Sequence, residues 1–388
     1  MIDISAFIED FRARFSTEPR LFAAPGRVNL IGEHTDYNEG FVLPFALEER
    51  TYVACSHRDD GQVSAVTRTL DKSFEMCLGA AASSSESWTI YVRGMAEILS
   101  KHTPAFRGAN VLIDSEIPFG AGLSSSAAFE VALGLGLGAM AGLGNSPKEI
   151  ALWGQRVEHE FIGVRSGIMD QLASALSREN HLMLIDCRSL QTTYVHFDRP
   201  DMVLAICDTK VKHDLAASEY NRRREECEEG MKILQRYLPG RSSLRDVNVS
   251  EFGKLAGNLA EPIRSRCRHV VTENERVLNA VSVIECSDFA SLGRLMYESH
   301  ESLRDDYEVS CAELDLLVEA ACEVSGVIGA RMTGGGFGGC TINLMDAAVF
   351  AEFTDQLRSR YHLAFDREPD ITAVRPAHGA TEIDIGDL

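Results

Sequence analysis

The sequence predicts a mixed α/β protein with two domains. Its 388 residues, of which 45% are apolar, can bury a large hydrophobic core, and chains of this length commonly divide into two domains. Short runs of β-prone residues and longer runs with apolar residues at helical spacing occur along the chain. Pro200 lies near a plausible domain boundary, so we expect one domain at residues 1–200 and a second at 201–388.

The elements are predicted in chain order from this spacing. Helices are predicted at residues 4–15, from Trp88 onward, and at 129–143, 146–161, 218–238, 261–285, 289–304 and 311–325, with a further helix start inside 163–175. Strands are predicted at 51–56, 63–67, 110–114, 181–186, 192–197 and 202–207. A turn at 59–61 joins the first two strands, and the Ala- and Ser-rich segment 79–87 is predicted to be a loop.

The charge of the chain argues against two classes of partner. The formal net charge is −20 at pH 7, whereas binding to nucleic acids or anionic membranes requires a basic surface. The same charge repels nucleotides at long range, so any phosphate chemistry needs local support from backbone amides, arginines and a metal ion. We therefore expect no nucleic-acid partner and no membrane partner.

Cysteine usage and the N-terminus favour the cytoplasm. The ten cysteines are scattered, without a C-x-x-C pair or a zinc-type cluster, which favours a reduced protein with buried thiols. Residues 1–15 are acidic and amphipathic, unlike a signal peptide. The longest apolar run, 131–144, is shorter than the roughly 18 residues that a membrane-spanning helix needs. We expect a soluble cytoplasmic protein, and a monomer.

An unusual polar turn lies within residues 22–47. Two apolar runs flank four consecutive polar residues, and Arg27 lies upstream of them; the four are Glu33, His34, Thr35 and Asp36. A turn can be polar for solvation alone. Two carboxylates, an imidazole and a hydroxyl also suit a sugar, because each sugar hydroxyl needs an oriented donor or acceptor. The spacing alone leaves both interpretations open.

A second unusual segment, 117–128, places a Gly- and Ser-rich loop between the predicted strand 110–114 and the predicted helix 129–143. Unpaired N–H groups at a helix N-terminus attract anions, and Gly120 and Gly122 allow the backbone to approach a phosphate closely. The serines of the loop offer hydroxyls for capping, for phosphate contact or for a divalent cation. The loop lacks the Gly-Lys-Ser/Thr of the Walker loop, and a surface turn with a serine cap is the alternative.

Two aromatic residues and two carboxylates each allow a structural and a functional interpretation. Trp88 and Tyr91 share a helix face, and two such aromatics are more often part of a core than a platform for a base. Glu158 lies at the edge of the apolar stripe of its helix and either extends to solvent or belongs to a site. Asp170 lies in the first turn of a predicted helix, where the helix dipole favours its charge, although a capping acid is also common there.

A third unusual segment, 329–344, contains a loop with five glycines. Gly334, Gly336 and Gly339 formally match G-x-G-x-x-G, but the dinucleotide-binding form of this motif continues into a helix. Here the β-prone residues 340–344 follow, so we predict a hairpin loop instead. Such a loop is either a tight turn or a backbone surface that approaches a ligand, and its length favours the ligand.

Together these segments resemble the small-molecule kinases of the superfamily named for galactokinase, homoserine kinase, mevalonate kinase and phosphomevalonate kinase. Residues 26–37 resemble the sugar signature of the galactokinase family, 118–127 the ATP loop of the superfamily, and 331–340 its third motif. Further matches occur at residues 167–171, 218–220, 266–271 and 374–380. The resemblance covers nearly the whole chain and narrows to the galactokinase family. It implies a two-lobed α/β (α+β) kinase, with a ribosomal-protein-S5-domain-2-like N-terminal lobe, a ferredoxin-like C-terminal lobe and the active site between them.

The resemblance implies a role for each matching residue. Asp170 matches the catalytic aspartate, and Arg27 matches the arginine beside it that steadies charge at the reacting oxygen. Substrate contacts are implied for Glu33, His34, Thr35, Asp36, Gly167 and Tyr220. ATP contacts are implied for Gly120, Ala121, Gly122, Leu123, Ser124, Ser125, Ser126, Trp88, Tyr91, Gly335 and Gly336. Magnesium ligands are implied at Ser126 and Glu158.

The reaction implied by the resemblance is transfer of the γ-phosphoryl group of ATP to the C1 hydroxyl of D-galactose, with Mg²⁺ as cofactor. Two alternatives stay open: a kinase for N-acetylgalactosamine or another hexose, and a non-enzymatic galactose-sensing regulator. By resemblance, such regulators have a damaged serine loop, whereas residues 124–127 are intact here. Arg165 and Ser166 depart from the family pattern, because we expect a smaller and less charged lead-in to Gly167.

Overall fold

Residues 2–80, 86–144, 146–211 and 216–386 are described by the structure, which is a computed structural model. The helices are α1 (Ile4–Phe15), α2 (Ser87–His102), α3 (Ser125–Met140), α4 (Pro147–Val157), α5 (Met169–Leu176), α6 (Ala216–Leu234), α7 (Val249–Leu255), α8 (Ile263–Glu285), α9 (Phe289–Asp305), α10 (Ala312–Cys322) and α11 (Phe350–Phe365). The strands are β1 (Arg20–Asn29), β2 (Phe41–Val42), β3 (Pro44–His57), β4 (Gln62–Thr67), β5 (Lys72–Cys77), β6 (Ala109–Ser115), β7 (His181–Asp186), β8 (Gln191–His196), β9 (Met202–Asp208), β10 (Val327–Thr333), β11 (Cys340–Asp346), β12 (Asp370–Val374) and β13 (Thr381–Ile383).

The described strands form three sheets. The first has the order β13-β1-β3-β6-β4-β5, in which neighbours are antiparallel except for the parallel pair β4 and β6. The second, antiparallel, has the order β10-β11-β9-β12, and the third has the order β2-β7-β8. Near the C-terminus, β13 returns to the first sheet and pairs with β1, where Ile383 lies opposite Leu21. The division into domains at residue 200 stays a prediction, and it has to allow this strand to cross back.

Helix α3 lies in the core of the first half, where its small residues let the neighbouring elements approach closely. A Cβ atom on Gly136 would lie 2.7 Å from Sγ of Cys55 on β3, and a Cβ atom on Gly134 would lie 2.9 Å from Ile150 on α4. Side chains packed at ordinary density do not come this close, so both positions require glycine. Helix α3, which was predicted from its small apolar residues, therefore packs closely against both β3 and α4.

The end of β10 is fastened to the end of β1. The hydroxyl of Thr333 donates to the carbonyl oxygen of Asn29 at 3.0 Å. Arg331 donates to the carbonyl oxygens of Asn29 and Leu30 at 3.3 and 3.2 Å. All four residues are buried. The glycine loop that follows β10 is therefore held beside the polar turn that follows β1.

Several predicted elements are confirmed. α1 and β7 have the predicted bounds, and β10 and β11 form the predicted hairpin, with Thr333 opposite Cys340. Asp170 lies in the first turn of α5, as predicted.

The ten cysteines are unpaired and six of them are buried. Among the described helices, none is both long enough and apolar enough to cross a membrane.

Several predicted helices have different bounds, and two of these differences bear on the candidate site. α3 begins at Ser125 rather than at residue 129, so the end of the serine loop forms its first turn. The predicted helix 146–161 is α-helical only as far as Val157 and continues as a π turn at Glu158–Ile162. Gly163 ends this turn in the left-handed conformation, with φ 83°, and its N–H donates to the carbonyl of Glu158 at 2.8 Å. The π turn is confined to five residues, which is too short a change for apolar spacing along the sequence to indicate.

Long-range pairing decides the place of β4. The predicted turn at 59–61 follows β3, but β6 lies between β3 and β4 in the sheet. Residues 81–85 of the predicted loop 79–87 lie outside the described residues.

Candidate active site

A cleft of about 240 Å³ opens beside the ends of β1 and β10 and the start of α5. It is lined by Arg27, Glu33, His34, Asp36, Glu158, Val164, Ser166, Gly167, Met169, Asp170, Gln171, Tyr220, Gly334, Gly335 and Gly336. The structure thus brings the predicted catalytic residues together with most of the predicted substrate contacts.

Asp170 is held in the cleft by Arg27. Nε and Nη2 of Arg27 donate to the two carboxylate oxygens at 2.7 and 2.8 Å, and Nη1 donates to the carbonyl oxygen of Gly122 at 2.7 Å. The hydroxyl of Ser124 also donates to Asp170, at 2.5 Å. The Arg27 side chain is 6% exposed, while Asp170 is 32% exposed. The carboxylate is therefore oriented from behind and accessible from the cleft.

The Gly- and Ser-rich loop lies against the glycine loop between β10 and β11. A Cβ atom on Gly334 would lie 3.1 Å from the carbonyl oxygen of Gly122, and one on Gly339 would lie 3.3 Å from that of Ala121. Gly122 has φ 77°, in the left-handed region that favours glycine. Because α3 begins at Ser125, the free N–H groups of its first turn belong to the end of this loop. The two loops together form a backbone surface that suits an anion.

Glu33 joins the polar turn to β10. It forms a buried ion pair with Arg331, and its Oε1 accepts hydrogen bonds from the Thr333 hydroxyl at 3.1 Å and from the Gly334 N–H at 3.0 Å. Burial raises the pKa of Glu33, while the positive charge of Arg331 opposes that shift. Glu33 therefore holds the glycine loop in place as well as lining the cleft.

Asp36 explains why residue 167 is glycine. A Cβ atom on Gly167 would lie 1.9 Å from Oδ2 of Asp36, so no other residue fits without moving the carboxylate. Burial and the nearby negative charge of Asp170 raise the pKa of Asp36 to about 6. The charge of Asp170 therefore makes it harder for Asp36 to ionise.

His34 and Tyr220 form an aromatic wall of the cleft. Their ring centroids lie 5.5 Å apart. Nε2 of His34 lies 3.2 Å from the carbonyl oxygen of Gly335. Burial lowers the pKa of His34 to about 3, so the imidazole is neutral.

Thr35 does not lie in the cleft. It is buried, and its hydroxyl donates to the carbonyl oxygens of Gly32 at 2.8 Å and Phe41 at 2.7 Å. The Thr35 hydroxyl therefore stabilises the turn that carries the neighbouring side chains. The structure thus places the predicted substrate contact at Thr35 outside the cavity, because the spacing of polar residues does not say which of them turns inward.

Several carboxyl groups interact electrostatically with Glu158. Glu158 accepts a hydrogen bond from the Ser166 hydroxyl, and burial raises its pKa to about 7. Burial and the negative charges of Glu158 and Asp170 raise the pKa of Glu130. Gln171 donates to Oε2 of Glu130 at 2.9 Å, whereas Oε1 of this buried carboxyl has no hydrogen-bond partner among the described residues. A cation bound nearby would stabilise the charged forms of these groups.

A second cavity, of about 430 Å³, lies on the other side of the serine loop. It is lined by Thr51, Thr67, Thr69, Leu70, Ser87, Trp88, Tyr91, Ile113, Ser115, Phe119, Ser125, Ser126 and Phe129. Nε1 of Trp88 donates to Glu86 at 2.8 Å, and Tyr91 is hydrogen-bonded to Ser126. The cavity is aromatic and apolar at one end and reaches the first turn of α3 at the other, which suits a base joined to phosphates.

Sequence reasoning missed several residues that line the two cavities. Gln171 and Gly334 belong to recognised motifs, and that signal could have found them. Ser166 was noted only as a departure from the family pattern, yet its hydroxyl contacts Glu158. Phe119 precedes the first loop glycine and belongs to the ATP-loop motif at 118–127, so the same signal could have found it.

Comparison with family profiles gives three matches. A profile described as the galactokinase galactose-binding signature matches residues 9–57. The GHMP kinases N terminal domain matches residues 90–178, and the GHMP kinases C terminal domain matches residues 279–363. The first match contains the polar turn, and the second contains the serine loop and Asp170.

The chain is also similar to curated proteins and to solved structures. It is 41% identical to the galactokinase of Roseiflexus sp. (strain RS-1) over 99% of this chain and 98% of the relative. It is 47% identical to the galactokinase of Haemophilus influenzae over 83% of this chain and 84% of the relative. The crystal structure of Lactococcus lactis galactokinase complexed with galactose superposes with a TM-score of 0.93, at 34% identity, over 98% of this chain and 100% of that one. A mevalonate kinase of Methanococcus jannaschii, with a TM-score of 0.62 at 18% identity over 92% of this chain and 98% of its own, shares the fold.

Proposed function

The chain belongs to the galactokinase family, and from this premise we propose how its residues carry out the reaction. It is an ATP-dependent sugar kinase with the two-lobed α/β fold of the GHMP kinases, and its reaction transfers the γ-phosphoryl group of ATP to the C1 hydroxyl of D-galactose. One observation supports the residue roles most strongly: Arg27 binds the Asp170 carboxylate and the Gly122 carbonyl at the same time. The catalytic acid–base group and the phosphate loop are thereby positioned by one side chain.

Asp170 accepts the proton of the C1 hydroxyl as the oxygen attacks. A bond forms between this oxygen and the γ-phosphorus, and the bond from the γ-phosphorus to the bridging oxygen breaks, so that ADP leaves with the electron pair. A loose phosphoryl-transfer transition state asks little of a base and much of positioning and charge neutralisation. Arg27 meets that need because it orients both oxygens of Asp170 and adds a positive charge beside the reacting oxygen.

Galactose is recognised by the groups around Asp170. Its hydroxyls need oriented acceptors and donors, which the carboxylates of Glu33 and Asp36 and the hydroxyl of Tyr220 offer, while the His34 ring, whose nitrogens are already hydrogen-bonded, lines the cleft beside them. Gly167 leaves the space that Asp36 requires. Thr35 supports this turn and takes no direct part.

ATP is bound by the serine loop and the second cavity. The main-chain amides of residues 120–126 face the phosphates at the start of α3, where the helix dipole favours negative charge. The backbone of Gly335 and Gly336 closes the phosphate site from the other side of the cleft. Trp88 and Tyr91 line the cavity for the nucleoside.

Ser126, which lines the second cavity, and Glu158, which lines the cleft, would hold magnesium. Among the residues that the structure describes, no group of three or more histidine, cysteine, aspartate or glutamate side chains is arranged to hold a metal ion. One hydroxyl and one carboxylate, both hard oxygen donors, suit Mg²⁺, which commonly takes one or two carboxylates and completes its shell with water and phosphate oxygens. The unpaired Oε1 of Glu130 supports a cation in this region. When bound, the ion neutralises charge on the phosphates.

Three further properties are proposed. The lobes are taken as residues 1–200 and 201–388, with β13 crossing back. The protein is proposed to be a cytoplasmic monomer, and the ten unpaired cysteines support a reducing compartment.

A coupled assay of ADP release tests the proposed function. Galactose, glucose, N-acetylgalactosamine and arabinose are compared at equal concentration, with a sugar-free reaction as the control. We expect galactose to give the highest kcat/KM. A preference for N-acetylgalactosamine, or ADP release that no sugar stimulates, would contradict the proposal.

A further inference from the structure

A buried chain of hydrogen bonds runs from the glycine loop to α6, and the mechanism above does not use most of it. Nε2 of His34 lies 3.2 Å from the carbonyl oxygen of Gly335, and its Nδ1 lies 2.8 Å from the hydroxyl of Tyr37. The Tyr37 hydroxyl lies 2.8 Å from that of Tyr307, which in turn lies 3.2 Å from Sγ of Cys227. His34, Tyr307 and Cys227 are buried.

The two ends of this chain determine the direction of each hydrogen bond. The Gly335 carbonyl can only accept, so Nε2 of His34 carries a proton. Because burial lowers the pKa of His34 to about 3, the ring is neutral and its Nδ1 accepts from Tyr37. Tyr37 then accepts from Tyr307, and Tyr307 accepts from the Cys227 thiol. Burial raises the pKa of that thiol to about 12, so it keeps its proton.

Two buried arginines hold Tyr307 through its backbone. Arg223 donates to the carbonyl oxygens of Tyr307 at 2.7 Å and Glu308 at 2.9 Å. Arg266 donates to the carbonyl oxygen of Asp306 at 2.5 Å. Charge-assisted hydrogen bonds to three consecutive carbonyls fix the turn that presents the Tyr307 hydroxyl. The chain of hydrogen bonds is therefore held rigidly at its Tyr307 end, in the second half of the protein.

His34 is held in an unfavourable backbone conformation. Its φ is 63°, in the left-handed region that a non-glycine residue rarely adopts. The ring centroids of Tyr307 and His34 lie 4.8 Å apart. Nε2 of His269 lies 3.1 Å from the carbonyl oxygen of Glu33, the residue before His34. Such a conformation persists only where the surroundings determine it fully, and it is commonest at functional sites.

Gly334, Gly335 and Gly336 have no side chains, so backbone hydrogen bonds hold this part of the glycine loop, and the next residue, Phe337, adds one from its N–H to the carbonyl oxygen of Val309 at 2.6 Å. The Gly334 N–H donates to Glu33, and the Gly335 carbonyl accepts from His34. The second contact requires a proton on Nε2. If the proton were on Nδ1, the Nε2 lone pair would face the carbonyl oxygen and repel it.

We propose that Tyr37 and Tyr307 are positioning residues that keep His34 protonated on Nε2, so that Gly335 and its loop stay closed on the sugar cleft. This inference rests on the proposed function, because it takes the cleft to be the galactose site. The effect is on galactose binding, since the chain ends at a loop that lines the cleft.

The first test measures the tautomer directly. The unliganded enzyme is labelled with ¹⁵N-histidine, and the His34 signals are assigned by their absence in His34→Gln. We expect the nitrogen shifts of a neutral ring protonated on Nε2 in the wild type, and a changed tautomer ratio in Tyr37→Phe. Since no substrate is present, this spectrum reports on the hydrogen-bond chain even if the proposed galactose contacts fail.

The second test is kinetic and uses Tyr37→Phe, Tyr307→Phe and the double variant. Loss of one buried hydrogen bond corresponds to a rise in the galactose KM of about fivefold to tenfold. The ATP KM should rise less than the galactose KM, because Gly335 is only one of the groups proposed at the phosphate site, and the double variant should resemble Tyr37→Phe, because both changes break the same hydrogen-bond chain. Tyr194→Phe is the matched control, because it removes a partly buried hydroxyl that donates at 2.7 Å to the carbonyl oxygen of Leu176, away from the glycine loop.

Two results would overturn the inference. One is a wild-type His34 that carries its proton on Nδ1. The other is a galactose KM in both single variants that matches the Tyr194→Phe control. If Tyr37→Phe does not fold, Tyr307→Phe and the wild-type spectrum decide the question.

Discussion

Arg27 and Asp170 form an ion pair with two parallel hydrogen bonds, from Nε to Oδ1 at 2.7 Å and from Nη2 to Oδ2 at 2.8 Å. This geometry fixes the plane of the carboxylate, which a single contact would leave free to rotate. The third Arg27 contact, to the Gly122 carbonyl at 2.7 Å, ties the pair to the loop proposed to hold the phosphates. The position of Asp170 relative to the phosphates is therefore determined before substrate binds.

Asp170→Asn should abolish most turnover while substrate binding persists. An amide keeps the size of the side chain but cannot take the C1 proton or balance the charge of Arg27. We expect kcat to fall by roughly 10²- to 10⁴-fold, with the galactose dissociation constant changed by only a few-fold. Single-turnover kinetics and calorimetric titration with galactose measure the two effects separately.

Asp59→Asn is the control for this change, because the Asp59 side chain is 77% exposed and lies outside both cavities. It should keep native turnover. Near-native turnover in Asp170→Asn would rule out its role as the proton acceptor.

Gly167→Ala should weaken galactose binding. A Cβ atom there would lie 1.9 Å from Oδ2 and 2.1 Å from Cγ of Asp36, so the carboxylate must move away from the sugar. Displacing a substrate-positioning group by about 1 Å can cost up to roughly a hundredfold in catalysis. We expect the galactose KM to rise by at least about tenfold while the ATP KM stays unchanged, as measured by initial rates with each substrate varied in turn.

Gly253→Ala provides the matched control. Gly253 lies in α7, and a Cβ atom there would meet nothing within 4 Å. Alanine in a helix interior is more favourable than glycine by roughly 0.5–1 kcal/mol, so this variant should be slightly more stable and fully active. If both variants had the same galactose KM, the steric argument for Gly167 would be wrong.

The structure also shows what the sequence could predict. Apolar spacing predicted α1 to the residue, because Phe7, Ile8 and Phe11 give it one buried face, and β7 also has the predicted bounds. It did not predict the π turn that begins at Glu158, since that turn is confined to five residues at the end of a helix. Nor did it place β6 between β3 and β4, because that order depends on pairing across distant parts of the chain.

Within the candidate site, motif residues were predicted better than contacts. The resemblance indicated Asp170 and Arg27 as a pair, and the structure brings them together. The hydrogen bond from Ser124 to Asp170 joins residues 46 positions apart, which no local pattern reports. Thr35 shows the opposite case, because its motif is polar throughout while only some of its side chains face the cleft.

Phe119→Ala should weaken ATP binding selectively. Phe119 lines the second cavity and is 47% exposed, so its removal costs little core packing. An aromatic contact to a base is worth roughly 1–3 kcal/mol, and we expect the ATP KM to rise by about fivefold or more. The galactose KM should stay constant in the same series of initial-rate measurements.

Leu363→Ala is the control for an exposed apolar side chain, because Leu363 is 88% exposed on α11. It should change neither KM. An unchanged ATP KM in Phe119→Ala would remove the support for a nucleoside in this cavity.

Magnesium binding should strengthen as the pH rises from 6 to 8. Burial raises the pKa of Glu158 to about 7, so this carboxyl is largely protonated at pH 6 and ionised at pH 8. Only the carboxylate can bind a cation, so the apparent affinity for Mg²⁺ should rise with pH, by up to about tenfold per unit below the pKa. Calorimetric titration of Mg²⁺ in the presence of ADP measures it without turnover.

The raised pKa of Glu158 should also affect the stability of the metal-free protein. An acid whose pKa is higher in the folded state than its ordinary value of 4.5 stabilises the fold at low pH, and this contribution is lost as the pH rises through about 7. Glu158→Gln keeps the size of the side chain and removes the titration. The variant should bind Mg²⁺ more weakly, show a flatter pH dependence of binding, and gain stability relative to the wild type between pH 5 and pH 8 in thermal unfolding. If the apparent affinity for Mg²⁺ changed with pH in the same way in both proteins, Glu158 would not control metal affinity.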